Sequence, residues 1–284
     1  MLFLAVKPIE MKIRLRVFLL PILCMCVLIS TAQEEARKTI SVQIGPSFLY
    51  RQDLTFSPFV HQDISFPHLQ LQYTKEKKWH QVYRLGYSGF NPGLVTPFEY
   101  IVDNDTTTAF PHSYTFVNAG YQLGRPLGKR KQKNILGGML NMDVQALNNN
   151  YGRFSTFGYF SSIDLGAWYK RILVSSEKHV LSAGIELALV SWQARSPYLV
   201  NDDEYIENTF SHNGFTTFFA YLGDGNLTSI HKLRKINVDA EYEYHLGSKW
   251  ITGINYSLHT IFSATPRQLA SFQHSLFLKA GIKF

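Results

Sequence analysis

Apolar residues fall on every second position over stretches of ten to fifteen residues, and the pattern returns ten times along the chain, at 39–50, 66–75, 79–89, 112–123, 134–147, 156–170, 179–193, 233–246, 249–262 and 271–284. Residues 233–246 show it plainly: Ile236, Val238, Ala240, Tyr242 and Tyr244 alternate with Asn237, Asp239, Glu241, Glu243 and His245. A period of two is the signature of a strand with one apolar and one polar face. The stretches are long for a soluble sheet, whose strands average five or six residues. Roughly nine to eleven tilted strand residues cross a bilayer.

The two faces differ in a way that decides between a dry sandwich and a membrane barrel. Tyr and Trp collect near the ends of the apolar face, as at a membrane interface. The polar face carries Asp, Glu, Lys and His, which are costly in an apolar core but ordinary in a barrel lumen. The connections alternate in length. After odd strands they run long, at 51–65, 90–111 and 194–232, with shorter ones at 148–155 and 263–270. After even strands most are short: "KEK" at 76–78, "RPLGKRKQK" at 125–133, "VSSEK" within 171–178 and "GS" at 247–248. The expected fold is all-β: an up-and-down transmembrane antiparallel β-barrel of about ten strands, with long extracellular loops and short periplasmic turns.

The last stretch, "SLFLKAGIKF", places Leu276, Leu278, Ala280, Ile282 and Phe284 on one face. It is expected to be the closing strand, paired with the first so that no sheet edge is left. Residues 12–33 read as an export segment, with Lys12, Arg14 and Arg16 before an apolar run and a "TAQ" junction at 31–33. Together with that segment and the alternating strands, "FLKAGIKF" resembles the outer-membrane β-barrel proteins, and the "TAQ" junction resembles those of Bacteroidota. The resemblance implies residence in the outer membrane of a Gram-negative bacterium. It also implies that Phe284, with Ile282, Leu278 and Leu276, is an assembly signal read by the barrel assembly machinery. No subfamily is identified.

The export segment follows ten residues of little signal. Lys12, Arg14 and Arg16 precede an apolar run from Val17 to Ile29, and Ser30-Thr31-Ala32 fits cleavage before Gln33. Residues 1–32 are therefore expected to be a removed signal peptide with an N-terminal extension, and 33–284 the barrel domain. Both cysteines, Cys24 and Cys26, leave with it, which excludes thiol catalysis, thiolate metal sites and disulfides. The net charge falls from +7 to +4, with no basic run dense enough for nucleic acid. His61, His68, His112, His179 and His231 have no metal-ligand spacing, so no metal or cofactor is expected.

Ten strands enclose little more than side chains can fill. The inward set Asp143, Asp164, Glu186, Asp239, Glu241, Glu243, Arg84, Lys170 and Lys279 is expected to neutralise itself in a plugged lumen. Chemistry would sit in the loops. Asp103 and Asp105 in "VDNDT", with Asp203 and His212 in "NDDEYIENTFSH", could activate water by general-base catalysis. Their placement is similar to that in omptins, though the Asp-x-His spacing of those proteases is absent. "QHS" at 273–275 and "SLH" at 257–259 offer Ser and His for lipid hydrolysis of the outer-membrane deacylase type. Phe215, Phe218, Phe219 and Tyr221 in "GFTTFFAYLG" form an apolar cluster suited to a lid or to partner binding.

The expected function is that of a surface protein, structural or binding through its extracellular loops rather than a general porin. The alternative is an outer-membrane hydrolase, an omptin-like protease or a lipid A deacylase-like enzyme, with its site at the extracellular mouth. The expected partners are outer-membrane lipid, lipopolysaccharide, the assembly machinery and an extracellular ligand.

Overall fold

The structure is a computed structural model that describes residues 37–92, 99–102, 105–108, 112–127, 134–151, 154–196, 200–201, 219–220 and 222–284. The expected signal segment lies outside the described residues. Fourteen strands are numbered in chain order: β1 Arg37–Asp53, β2 Val60–Glu76, β3 His80–Phe90, β4 Glu99–Val102, β5 Asp105–Thr108, β6 Ser113–Leu127, β7 Asn134–Tyr151, β8 Phe154–Ser175, β9 His179–Arg195, β10 Val200–Asn201, β11 Asn226–Ser229, β12 Leu233–Leu246, β13 Trp250–Ser263 and β14 Leu269–Lys283.

Ten of these form the wall, in the order β1, β2, β3, β6, β7, β8, β9, β12, β13 and β14. Each is antiparallel to its neighbours, and β14 pairs back onto β1 from Thr39↔Lys283 to Asp53↔Leu269. The fold is thus a closed ten-stranded up-and-down barrel. Closure satisfies the backbone of every wall strand, the condition for spanning a bilayer with strands. β4 and β5 form a separate hairpin, β10 adds to the rim of β8, and β11 pairs with the outer half of β9.

The apolar face of the alternation is the outside. Val42, Ile44, Leu69, Leu71, Leu85, Leu165, Ile185, Ile254, Leu276 and Leu278 are all exposed and form a belt. At its loop end Tyr50, Phe272 and Phe262 touch edge-on, with centroids 6.0 and 5.2 Å apart. At its turn end Tyr73, Tyr83 and Tyr121 form a row at 5.8 and 4.7 Å. Aromatic girdles on both sides of an apolar belt suit rings to the two membrane interfaces. The turns at this end are short, and in that between β12 and β13 Gly247 has φ +67°, a conformation that glycine adopts without a Cβ penalty.

The strands run further toward the loop end than the alternation indicates, and two bulges explain why. The first expected loop, 51–65, is mostly strand, because β1 reaches Asp53 and β2 starts at Val60. Across β1 and β2 the register jumps from Gly45↔His68 to Ser47↔Ser65, so β2 carries an extra residue at Phe66-Pro67. An extra residue reverses the phase, and His61 and Ser65 turn inward beside outward Gln62 and Ile64. On β9 the register passes from Gly166↔Ala188 to Leu165↔Val190. Leu189 and Val190 therefore both face out, and Ser191, Gln193 and Arg195 face in. The expected loop 148–155 likewise shrinks, since β7 ends at Tyr151 and β8 begins at Phe154.

Candidate functional site

The polar residues of the alternation meet inside the barrel, where neighbouring strands bring side chains far apart in sequence to one level. Nearest the turn end is a cavity of about 180 Å³ lined by Lys170, Lys279, Asp239, Glu241 and Glu243 among others. Lys279 Nζ lies 2.5 Å from Glu241 and 2.6 Å from Glu243, and Lys170 Nζ lies 2.9 Å from the other oxygen of Glu241. Above them Glu186 is the hub. It accepts from Arg84 at 2.7 Å, Asn141 at 2.8 Å and Asn237 at 3.1 Å, and also from Gln122. Arg84 reaches Asp239 at 3.9 Å.

A second charged layer follows. Lys235 on β12 donates to Asp143 on β7 and Asp164 on β8, and to Ser162 Oγ at 2.8 Å. The space beside it, lined by Asp143, His259 and Gln273, holds only about 20 Å³, enough for a water-sized solute.

The loop end of the lumen is apolar, then charged. Leu49, Phe56, Phe90, Tyr114, Phe116 and Leu147 form one buried cluster, and Phe160, Leu233, Ile261 and Leu269 another. Over them Asp53 is clamped between two arginines, Arg51 at 2.9 Å and Arg195 at 2.5 Å. Arg51 also donates to Gln145 across the barrel at 2.6 Å, and Arg195 to the carbonyls of Thr265 and Arg267 at 2.9 and 2.6 Å. Buried charges need this degree of pairing, because each is expensive out of water. The rings of His61 and His112 meet at a tilt of 57°, with centroids 4.9 Å apart. His112 lies outside the strands, and burial pushes it below the ordinary imidazole pKa.

The inward set expected from the sequence is thus assembled as pairs, and every member of it takes part in an ion pair. Lys235, which keeps the inward phase of β12, and Arg51, Asp53 and Arg195, which fall in expected loops, are further members that the expected inward set did not include. Of the two Ser-His motifs, Ser257 and His259 of "SLH" share the inward face of β13, whereas "QHS" is split across the wall. His274 faces out and meets Tyr256 OH at 2.8 Å, while its neighbour Ser275 faces in, 3.0 Å from His68. His68 and Ser275 are both buried, with Ser47 Oγ 2.8 Å beyond, so the pair is a packed lumen contact closed to a lipid substrate.

The loop candidates fall largely elsewhere. Asp103, Asp203, His212, Phe215, Phe218 and Tyr221 lie outside the described residues, and of Asp105 only the backbone is described, at the start of β5. Phe219 is 58% exposed. Its segment is anchored to the wall through Leu222, whose carbonyl accepts from Trp192 Nε1 at 2.9 Å. Among the described residues no three His, Asp or Glu are grouped to hold a metal.

Neither a family model nor a curated protein matches this chain. Among solved structures, the outer membrane protease OmpT of Escherichia coli is similar with a TM-score of 0.51 at 5% identity, over 90% of this chain and 99% of that one. A major outer membrane protein of Thermus thermophilus gives 0.34 at 8% identity, over 88% and 100% of the two chains. Neisserial surface protein A gives 0.33 at 10% identity, over 88% and 100%. The likeness to OmpT is one of fold.

Proposed function

We propose that the chain is an outer-membrane surface protein, structural or binding, whose barrel is a closed scaffold for its outer loops and not a general porin. One observation carries this reading: the lumen is filled by cross-strand ion pairs and, toward the loops, by two aromatic and aliphatic clusters. A conducting pore needs a continuous wet path, and ten strands leave little width to spare. In this reading residues 1–32 direct export, with the mature chain starting at Gln33, and lipid and lipopolysaccharide surround the belt. A ligand, if one is held outside, is met by the loops.

Purified barrel in a planar bilayer should show no porin-sized conductance steps, and steady ohmic current through the single barrel would overturn the reading. A rival reading, hydrolysis at the loop end, draws support from the protease that shares the barrel fold. The same preparation incubated with a mixed peptide library and with lipopolysaccharide separates the two. Cleavage abolished by Asp103→Asn, Asp105→Asn or His212→Ala would replace the binding role with an enzymatic one.

The assembly signal is testable separately. β14 ends at Lys283, and Phe284 continues the pairing through reciprocal backbone bonds with Lys38 at 3.0 and 3.1 Å, its ring 62% exposed on the belt face. Deleting Phe284 removes that last pair and the terminal aromatic. Folded barrel in outer membranes should fall severalfold in a quantitative blot while export across the inner membrane is unchanged. Wild-type amounts would show that nothing reads this residue.

A further inference from the structure

At the turn end the outward face changes from apolar or aromatic to cationic within one step on four strands. Lys38 follows the outward phase of Ile40, Lys75 that of Tyr73, Arg125 that of Leu123 and Arg171 that of Tyr169. Among the described residues none of these four makes an ion pair. Two of them are set against each other. Lys38 and Lys75 are direct cross-strand partners on β1 and β2. Both backbone groups of Lys38 bond to Phe284 on the other side, so its pairing with Lys75 is of the non-hydrogen-bonded kind, which brings side chains closest. Like charges directly opposite are destabilising. The chain nonetheless places them at the height where the belt meets headgroups.

We propose that Lys38 and Lys75 form a binding site for the phosphodiester of an anionic phospholipid in the leaflet at the turn end. Two ammonium groups at cross-strand distance can share one phosphate through charge-assisted hydrogen bonds, which turns their repulsion into a chelate. The row continues with Gln81, the β3 partner of Lys75, whose amide can donate to headgroup hydroxyls. Phe284 flanks the other side, with Lys38 Nζ 6.0 Å from its ring centroid. Directly above, Ile40 and Tyr73 offer an apolar track for the acyl chains. A zwitterionic headgroup would bring its own cation to two that are already unpaired, so the site favours net negative lipid.

The test uses the folded barrel in detergent, exposed to equal amounts of phosphatidylglycerol and phosphatidylcholine, with retained lipid read by native mass spectrometry. Wild type should hold phosphatidylglycerol in preference, and the Lys38→Gln/Lys75→Gln variant should lose roughly 25-fold in its retention, about fivefold per lysine. The Lys38→Arg/Lys75→Arg variant should keep it. Lys75→Glu should lose the lipid yet unfold at a higher temperature than wild type in lipid-free detergent, because the repulsion becomes an attraction. The boiling-dependent gel shift confirms folding in each case. Equal retention of the two lipids by wild type, or unchanged retention in the glutamine variant, would overturn the site. So would displacement of phosphatidylglycerol by inorganic phosphate at equal concentration, or lysine-dependent retention of lipopolysaccharide in its place.

Discussion

Replacing Lys235 with methionine should remove most of the barrel's stability. Lys235 Nζ is the counter-charge for two carboxylates on two other strands, and Asp164 is wholly buried, with Oδ1 making no hydrogen bond among the described residues. Methionine fills the same volume and removes the charge, leaving Asp164 with only Ser162 Oγ at 3.1 Å. Breaking a buried pair from one side costs about 3–5 kcal/mol. In a urea titration followed by the boiling-dependent gel shift, the folded band should disappear at much lower denaturant than in wild type. The triple change Lys235→Met/Asp143→Leu/Asp164→Leu should recover most of the loss, since an apolar replacement of a whole buried network is often neutral. If the single change is harmless, water reaches this layer and the lumen is not sealed. If the triple change is no better than the single, the loss comes from packing and not from charge.

That network shows what the sequence could and could not disclose. The position of Lys235 was legible, because it keeps the inward phase of Asn237 and Asp239 on β12. Its partners were not. Asp143 and Asp164 are reached across the lumen, and which strands face each other there is decided by closing the ring, a property of the whole sheet. The alternation, the even strand count and the asymmetry of turns and loops are local consequences of the pleat, so they survive in the sequence undistorted. Phase reversals are not. The extra residue at Phe66-Pro67 hides the inward phase of His61 to Ser65, and the paired outward residues Leu189 and Val190 hide that of Arg195. Of the arginine clamp on Asp53, Arg195 lies beyond the second irregularity, whereas Arg51 and Asp53 keep the unbroken inward phase of Gln43 and Ser47 in a stretch that reads as loop. The apolar clusters inside the loop end were hidden for another reason. Leu49, Phe116 and Leu147 sit on the inward face, where alternation alone leads one to expect polar residues. The charged lumen was therefore readable, and the apolar stopper above it was not.

The seam offers the sharpest test of the fold itself. β1 and β14 are the most distant partners in the chain, so their pairing is the one with the largest loop-closure cost and the least local help. The two strands come so close at Gly45 that a Cβ there would stand 1.8 Å from the carbonyl oxygen of Leu276 and 2.9 Å from Cα of Phe277. Both obstacles are backbone, so no rotamer change relieves them. The register on either side, Ile44↔Leu278 and Ser47↔Ser275, leaves no slack to move β14 outward without losing ladder bonds. Gly45→Val should therefore cost about 3 kcal/mol or more, at the upper end of what overpacking a filled site costs. The folded band should be lost and the chain should accumulate unassembled. Gly138→Ala is the control, because its nearest neighbour, Gly166 O, would lie 3.8 Å away, an ordinary contact. That variant should assemble normally. A Gly45→Val barrel that folds to wild-type levels would mean that β1 and β14 do not meet this closely, and the closing pair would have to be drawn with another register.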